Sequence, residues 1–390
     1  MKVILGTVTI ASLVASLGIA GNVDNVTSQS AQYLRAPARQ ASTDLDGAYY
    51  NPSGLVKLRN GLYCEFSNLT ILRKDTIATL KSTYESDNPI LLFPTASIVL
   101  KSGRIASYLS FHLPGGGGRV HYEAHPIASG SETQVVAMAA QESGLIDGAS
   151  ILTSEVIAES LYLGVAFGIA YEFEELFSIS FGIRGIAAQK RTRANINYSL
   201  TSSVLNRQIT TRKLRLDAKQ NATGSGIIVG ISIYPIENMI FSLKYETSTP
   251  LEFINKTTRD DLNYFTQDER IRRDMPGLAT LGTSIKLSKN LTIDAGYTRY
   301  FTSSANWDKA LDGTPLAKKF DDGWDSSASL LYNITPTLGL SIGTLRTINA
   351  HNKATRTSID FGLNSWMIGG GLIYKANKDL TFNLGLAESL

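Results

Sequence analysis

The chain has 390 residues and a formal charge of +3, with Lys and Arg scattered along it, which argues against a nucleic-acid partner. Its mean hydropathy is near zero, and no segment after residue 20 reaches the roughly 18 consecutive apolar residues that a spanning helix needs, which argues against a helical membrane protein. Two or three soluble domains fit this length. So does one large transmembrane β-barrel, in which half the strand residues are polar or small.

At the N-terminus, Lys2, the apolar run 3–19 and the small residues Gly18 and Ala20 read as a signal peptide over 1–20, cleaved after Ala20. Cys64 is the single cysteine and lies far from that site, so neither an internal disulfide nor an N-terminal lipid is available; it is expected to pack within a strand. Residues 21–58 show no sustained strand alternation. Residues 29–39 have room for a helical turn or two, and Asn51, Pro52, Ser53 and Gly54 form a turn signature, Pro fixing one φ and Gly allowing a positive one. A piece of this kind ahead of a barrel is a plug, a periplasmic linker or a disordered tail. Tyr33, Tyr49 and Tyr50 argue against the last.

From Gly61 onward the side chains alternate with period two. Met239, Phe241, Leu243 and Tyr245 face away from Ser242, Lys244 and Glu246, and Leu291, Ile293, Ala295 and Tyr297 face away from Thr292, Asp294, Gly296 and Thr298. Charged and Gly-rich faces pack a dry core poorly because an unpaired buried charge is expensive to desolvate; a barrel lumen accepts them. Strands are expected at about 61–73, 91–101, 103–113, 156–172, 176–198, 209–235, 238–250, 278–287, 290–303, 322–333, 337–348, 364–375 and 378–389. Tight turns at 101–104, 172–175, 235–238, 288–290, 334–337 and 375–378 alternate with longer polar loops, the two-rimmed layout of an outer-membrane barrel. The strand count is odd, whereas bacterial barrels close with an even number. Either two strands are merged within 209–235, or the sequence stops before a closing strand, a reading favoured by the absence of an aromatic in Glu388, Ser389 and Leu390.

Loops are where function is expected. The longest, 114–154, opens with Pro114 and four glycines and continues as Ala-, Ile-, Val- and Met-rich sequence. Val135, Val136 and Met138 are candidates for capturing a greasy ligand; the alternative is that this stretch only packs across the barrel mouth.

The runs Gln29-Ser-Ala-Gln-Tyr33 and Ala41-Ser-Thr-Asp-Leu-Asp-Gly-Ala-Tyr-Tyr-Asn-Pro-Ser-Gly-Leu55 resemble the N-terminal hatch of the FadL/TodX family of outer-membrane channels for hydrophobic compounds. Asn51, Pro52, Ser53, Gly54 and Leu55 match its Asn-Pro-Ala-Gly-like signature, with Ser53 where Ala is usual. The stretch from Pro114 to Tyr122, Tyr162-Leu-Gly-Val165, Pro276-Gly-Leu-Ala279, Gly282 and the stretch from Leu291 to Tyr297 add to the likeness, which spans the mature chain. The resemblance implies an all-β fold: a fourteen-stranded antiparallel transmembrane barrel over 59–390, lacking one visible strand, with residues 21–58 as a hatch in its lumen. It further implies passive uptake of long-chain fatty acids or aromatic hydrocarbons, caught by external loops and released past the hatch through a lateral opening beside an inwardly kinked third strand. Pro114 and Gly115 stand at the end of the third expected strand, where Pro removes a ladder donor. The implied partners are a hydrophobic small molecule and the lipid of the outer membrane of a Gram-negative-type bacterium. The sequence does not fix the oligomeric state, a monomer being favoured, and no cofactor is expected.

No catalytic or metal set is expected. His121 and His125 lack the His-Glu-x-x-His order of zinc hydrolases, and Gly115 to Gly118 lack the Lys-Ser/Thr of a phosphate loop and read as a flexible loop base. Asp321, Asp322 and Asp325 read as a solvated rim in preference to a calcium site. Two competing functions remain: an adhesin or structural barrel, and a barrel lipase, which needs a nucleophile with a His beside it.

Overall fold

A computed structural model of the chain describes residues 12–15, 21–22, 25–78, 83–87, 89–123, 147–205, 207–261, 265–309, 313–356 and 362–390. Among the described residues, thirteen antiparallel strands follow one another around a single wall. They are β1 (Gly61–Leu72), β2 (Ile90–Ser102), β3 (Ile105–Glu123), β4 (Gly148–Phe173), β5 (Phe177–Ser202), β6 (Arg207–Ile236) and β7 (Met239–Glu246). The wall continues with β8 (Leu278–Lys286), β9 (Leu291–Tyr300), β10 (Trp324–Asn333), β11 (Leu338–Ile348), β12 (Ser365–Lys375) and β13 (Thr381–Ser389). Ser12–Ala15 lies parallel to Leu69–Leu72 on the outer edge of β1.

Every expected strand forms, and so does every tight turn. Gly103 takes a positive φ of 57° in the first turn, and Glu174 and Glu175 take 47° and 58° in the second. Of the two readings of the odd count, merging within 209–235 is ruled out, because β6 is one unbroken strand of 30 residues. The expected end of the third strand at 113 is also corrected. β3 runs on through Gly115 to Gly118, which are wall residues and not a loop base.

The wall is inside-out relative to a soluble protein. Phe167, Phe181, Phe241, Leu243, Leu281, Ile342, Ile368 and Leu386 are exposed, while Ser67, Ser110, Ser180, Arg184, Ser242, Lys244, Thr298, Ser329 and Asn383 are buried. An apolar belt outside and hydrogen-bonding groups inside is the pattern of a transmembrane barrel, where the lipid is the oily medium. Cys64 belongs to the outward row beside Phe66 and is exposed, not packed as expected.

β5 and β6 span 26 and 30 residues, far more than the about 9–11 that cross a bilayer. Along β5 the polarity of the two faces swaps. Near the tight turn Ile179, Phe181 and Ile183 point out and Ser178, Ser180 and Arg184 point in. Beyond residue 185 the outward row is Gln189, Arg191, Arg193, Asn195 and Asn197, and the buried row is Ile186, Ala188, Ala194, Ile196, Tyr198 and Leu200. The swap marks where the wall leaves lipid for water: β5 and β6 extend on the long-loop side with a greasy inner face. Glu252–Asp260 pairs with the upper part of β6 at residues 216–221, beyond the stretch that pairs with β7.

Candidate ligand path and its plug

Residues 25–58 pack against inward-facing side chains of the wall, among them Ser67, Ser178, Ser242 and Ser329. Two short helices, α1 (Ala31–Arg35) and α2 (Gly47–Tyr50), lead into a 3₁₀ turn at Pro52–Lys57. Ser30 caps α1, accepting a hydrogen bond from the Tyr33 N–H. The Arg39 guanidinium organises the loop between the helices, donating to both carboxylate oxygens of Asp46 at 2.8 and 2.7 Å and to Asp44 and the Ser42 hydroxyl at 2.7 Å.

The expected motif acts as a clasp. Pro52 sits at the first position of the turn, where its missing N–H is harmless. Asn51 donates to the Ser42 carbonyl at 3.0 Å and accepts from the Ser53 hydroxyl at 2.9 Å. Ser53 lies 2.8 Å from Ser232 on β6, and its carbonyl accepts from Ser178 on β5 at 2.7 Å. Leu55 is fully buried against Leu45, Val99 and Ala166. Gly54 is needed for a different reason from the expected one. Its φ is not positive; a Cβ there would fall on the Ser42 carbonyl and lie 2.6 Å from the Asn51 amide nitrogen.

The rest of the segment is seated on polar and small residues of many strands. Arg35 donates to Ser341 on β11 at 3.1 Å and to Asn383 on β13 at 3.3 Å, and the Ala38 N–H donates to Ser329 on β10 at 3.1 Å. Ser242 donates to the Gln40 carbonyl, Lys244 donates to the Tyr49 carbonyl at 2.8 Å, and Gln32 donates to Glu65 on β1. Behind Tyr49, Lys244 and Arg184 converge on Glu246, forming a buried trio on the wall.

The wall itself is irregular at one place. The β2–β3 ladder runs from Ser102 and Ile105 up to Ala96 and Phe111, and among the described residues it stops there. Above it β2 pairs with β1 alone, and β3 stays with β4, whose register slips between His112 and Gly115 and again before Gly118. Pro114 and Gly115 lie inside that slip, and Gly116 and Gly118 take φ values of 92° and 74°. Val135, Val136, Met138 and His125 lie outside the described residues. His121 is on β3, 3.1 Å from Glu155. Asp325 is buried, bound by the Tyr300 hydroxyl at 2.6 Å and by Thr347 at 2.7 Å, while Asp322 pairs with Arg299.

One feature of the path was missed in the sequence: the greasy inner face of β5 and β6. It begins at the height of the slip, since Ile186 pairs with Gly164 and Gly164 with His112. Above that level Tyr162, Ile186, Ala188, Leu251, Phe253 and Met275 form one buried cluster, and Ile196, Tyr198, Leu214 and Leu216 continue it upward. The signal was present in the alternation from Ala194 to Leu200, whose phase is opposite to that of Ser178 to Arg184.

No family model and no curated protein matches the sequence. Solved structures do match. A FadL homologue from Pseudomonas aeruginosa aligns over 91% of this chain and 88% of its own, at 13% identity and a TM-score of 0.63. The toluene transporter TodX of Pseudomonas putida aligns over 92% and 91%, at 15% identity and a TM-score of 0.61. The chain has the FadL/TodX fold. Residues 25–58 contact the inner side of this wall, and the register slip falls on its third strand, β3.

Proposed function

We propose that this protein is a passive channel of a bacterial outer membrane that takes up hydrophobic small molecules, such as long-chain fatty acids or aromatic hydrocarbons. One observation carries the reading: the greasy inner face of the protruding strands descends to the height at which β3 parts from β2. A hydrophobe held by that face, together with the loop bearing Val135, Val136 and Met138, moves downhill in polarity until it meets the hatch. Below it the lumen is lined by Arg184, Lys244 and Glu246, which disfavour an apolar solute, and sideways lies lipid. Exit is therefore lateral, between β2 and β3 beside Pro114 and Gly115, when the hatch shifts. The likeness to FadL and TodX structures supports this reading. No catalytic step, cofactor or second subunit is part of it, and residues 1–20 act as the export signal.

The test is uptake by cells that lack their own long-chain fatty-acid channel. Expression of the full chain restores uptake of labelled oleate or toluene. No gain for any hydrophobe contradicts the proposal.

A further inference from the structure

Gln29 stands at the parting of β2 and β3, and each of its polar groups is used. Its side-chain amide accepts from the Leu113 N–H at 2.9 Å and donates to the Leu113 carbonyl at 2.8 Å. That pair of bonds is what an antiparallel neighbour would give Leu113, delivered by a side chain in place of a strand. The Gln29 carbonyl accepts from Thr95 on β2 at 2.7 Å, its N–H donates to the Tyr50 hydroxyl at 2.9 Å, and its amide also donates to the Val26 carbonyl at 3.0 Å. Gln29 is thus bonded to both sides of the gap, two positions above the last β2–β3 pair on β3.

We propose that Gln29 is the latch of the lateral gate, a positioning residue that keeps β2 and β3 joined through the hatch until the hatch moves. This rests on the channel reading above and names how its exit is regulated. The linkage is physical. Tyr50 immediately precedes Asn51, and its hydroxyl holds Gln29 while donating to the Thr27 carbonyl at 2.7 Å. A shift of the clasp at Asn51 to Leu55 away from Ser178 and Ser232 therefore drags Tyr50, and with it the amide on Leu113. Releasing the latch leaves the Leu113 backbone unpaired in an apolar surrounding, an unfavourable state unless water or a ligand replaces the amide. The closed gate is for that reason the resting state.

The latch is tested with the full chain in outer-membrane lipid vesicles, reading amide hydrogen exchange at Leu113 and oleate uptake in cells on the same variants. Gln29→Ala is expected to raise Leu113 exchange at least ten-fold and to change the uptake rate several-fold. Thr95→Val, which spares the amide pair, is expected to alter uptake less and to leave Leu113 protected; it carries the test if Gln29→Ala does not fold, since altered Leu113 exchange there or an uptake rate equal to wild type overturns the latch. Unchanged Leu113 exchange in folded Gln29→Ala overturns the latch whatever uptake does. Faster exchange with unchanged uptake overturns its gating role. Channel-deficient cells that express the wild-type chain and take up no hydrophobe, with Leu113 still protected, sink the channel reading and the gate with it, an outcome distinct from loss of the latch alone.

Discussion

The hydroxyls of Ser53 and Ser232 lie 2.8 Å apart, so the motif from Asn51 to Leu55 is fastened to β6 through two of the smallest polar side chains. Such a fastening is a modest one, because a neutral buried hydrogen bond contributes about 1 kcal/mol net.

Ser53→Ala should therefore keep the barrel and loosen the plug. Ser232 keeps the Asn51 amide oxygen as a partner at 3.2 Å, so no hydroxyl is stranded. The expected loss of about 1 kcal/mol corresponds to a roughly five-fold rise in the undocked fraction. Limited proteolysis of residues 25–58 in the folded barrel measures it, with heat-dependent gel mobility unchanged. Equal cleavage rates in the two proteins would show that the bond does not hold the hatch.

Glycines of the wall should be intolerant where residues 25–58 lie against them and tolerant where no atom lies near. A Cβ on Gly385 of β13 would meet the Ala31 carbonyl and lie 2.9 Å from the Leu34 Cβ, whereas nothing lies within 4 Å of one on Gly185 of β5. Gly385→Leu is expected to displace α1 and make the hatch protease-sensitive, and Gly185→Leu, on the exposed face, to have no effect. Equal sensitivity of the two variants would contradict the docking of α1 on β13.

The trio of Arg184, Lys244 and Glu246 has one carboxylate between two cations, all buried. Glu246→Gln leaves two like charges facing each other and should destabilise the barrel by roughly 3–5 kcal/mol, the usual result of breaking a buried pair from one side. Urea unfolding in detergent measures this. Arg184→Met, which leaves Glu246 paired with Lys244 at 2.6 Å, should be the milder change.

Acid should loosen the loop between β9 and β10 only below the ordinary carboxylate range. Burial raises the pKa of Asp322, but bonds from the Ser303 hydroxyl at 2.8 Å and from Arg299 at 3.0 Å outweigh it and leave the carboxyl lower than usual. A depressed folded-state pKa contributes stability that is complete above the unfolded value and is lost as pH falls through the folded one. Cleavage of the loop by an acid-tolerant protease should be flat from pH 7 to about 5 and rise below about 4. Asp322→Asn should be cleaved faster at pH 7 and lose that rise; a wild-type rise already complete at pH 6 would contradict the assignment.

The strands were legible because lipid imposes a strict period of two: Phe241, Leu243 and Tyr245 against Ser242, Lys244 and Glu246 needs no tertiary knowledge. The course of β3 beyond Leu113 was not, because a proline and four glycines erase that period while the backbone pairing to β4 continues. The seating of the hatch was hidden for another reason. Arg35 meets Asn383 across 348 positions of sequence, and nothing local in either residue announces the other. The motif from Asn51 to Leu55 was visible as a unit, but the role of Gly54 followed only from its contact with Ser42. Glu252–Asp260 pairing with β6 was likewise hidden, since the edge it covers exists only because β6 outruns β7.

The claim on which everything else stands is that lipid touches the exposed apolar row. It is tested by placing single cysteines at each position from 241 to 246 in a Cys64→Ser background and treating the protein, in outer-membrane lipid vesicles, with a maleimide dissolved in the bilayer. Labelling at 241, 243 and 245 with none at 242, 244 and 246 is the predicted result. Labelling of the opposite row, or equal labelling of both rows by a water-soluble maleimide, would contradict it.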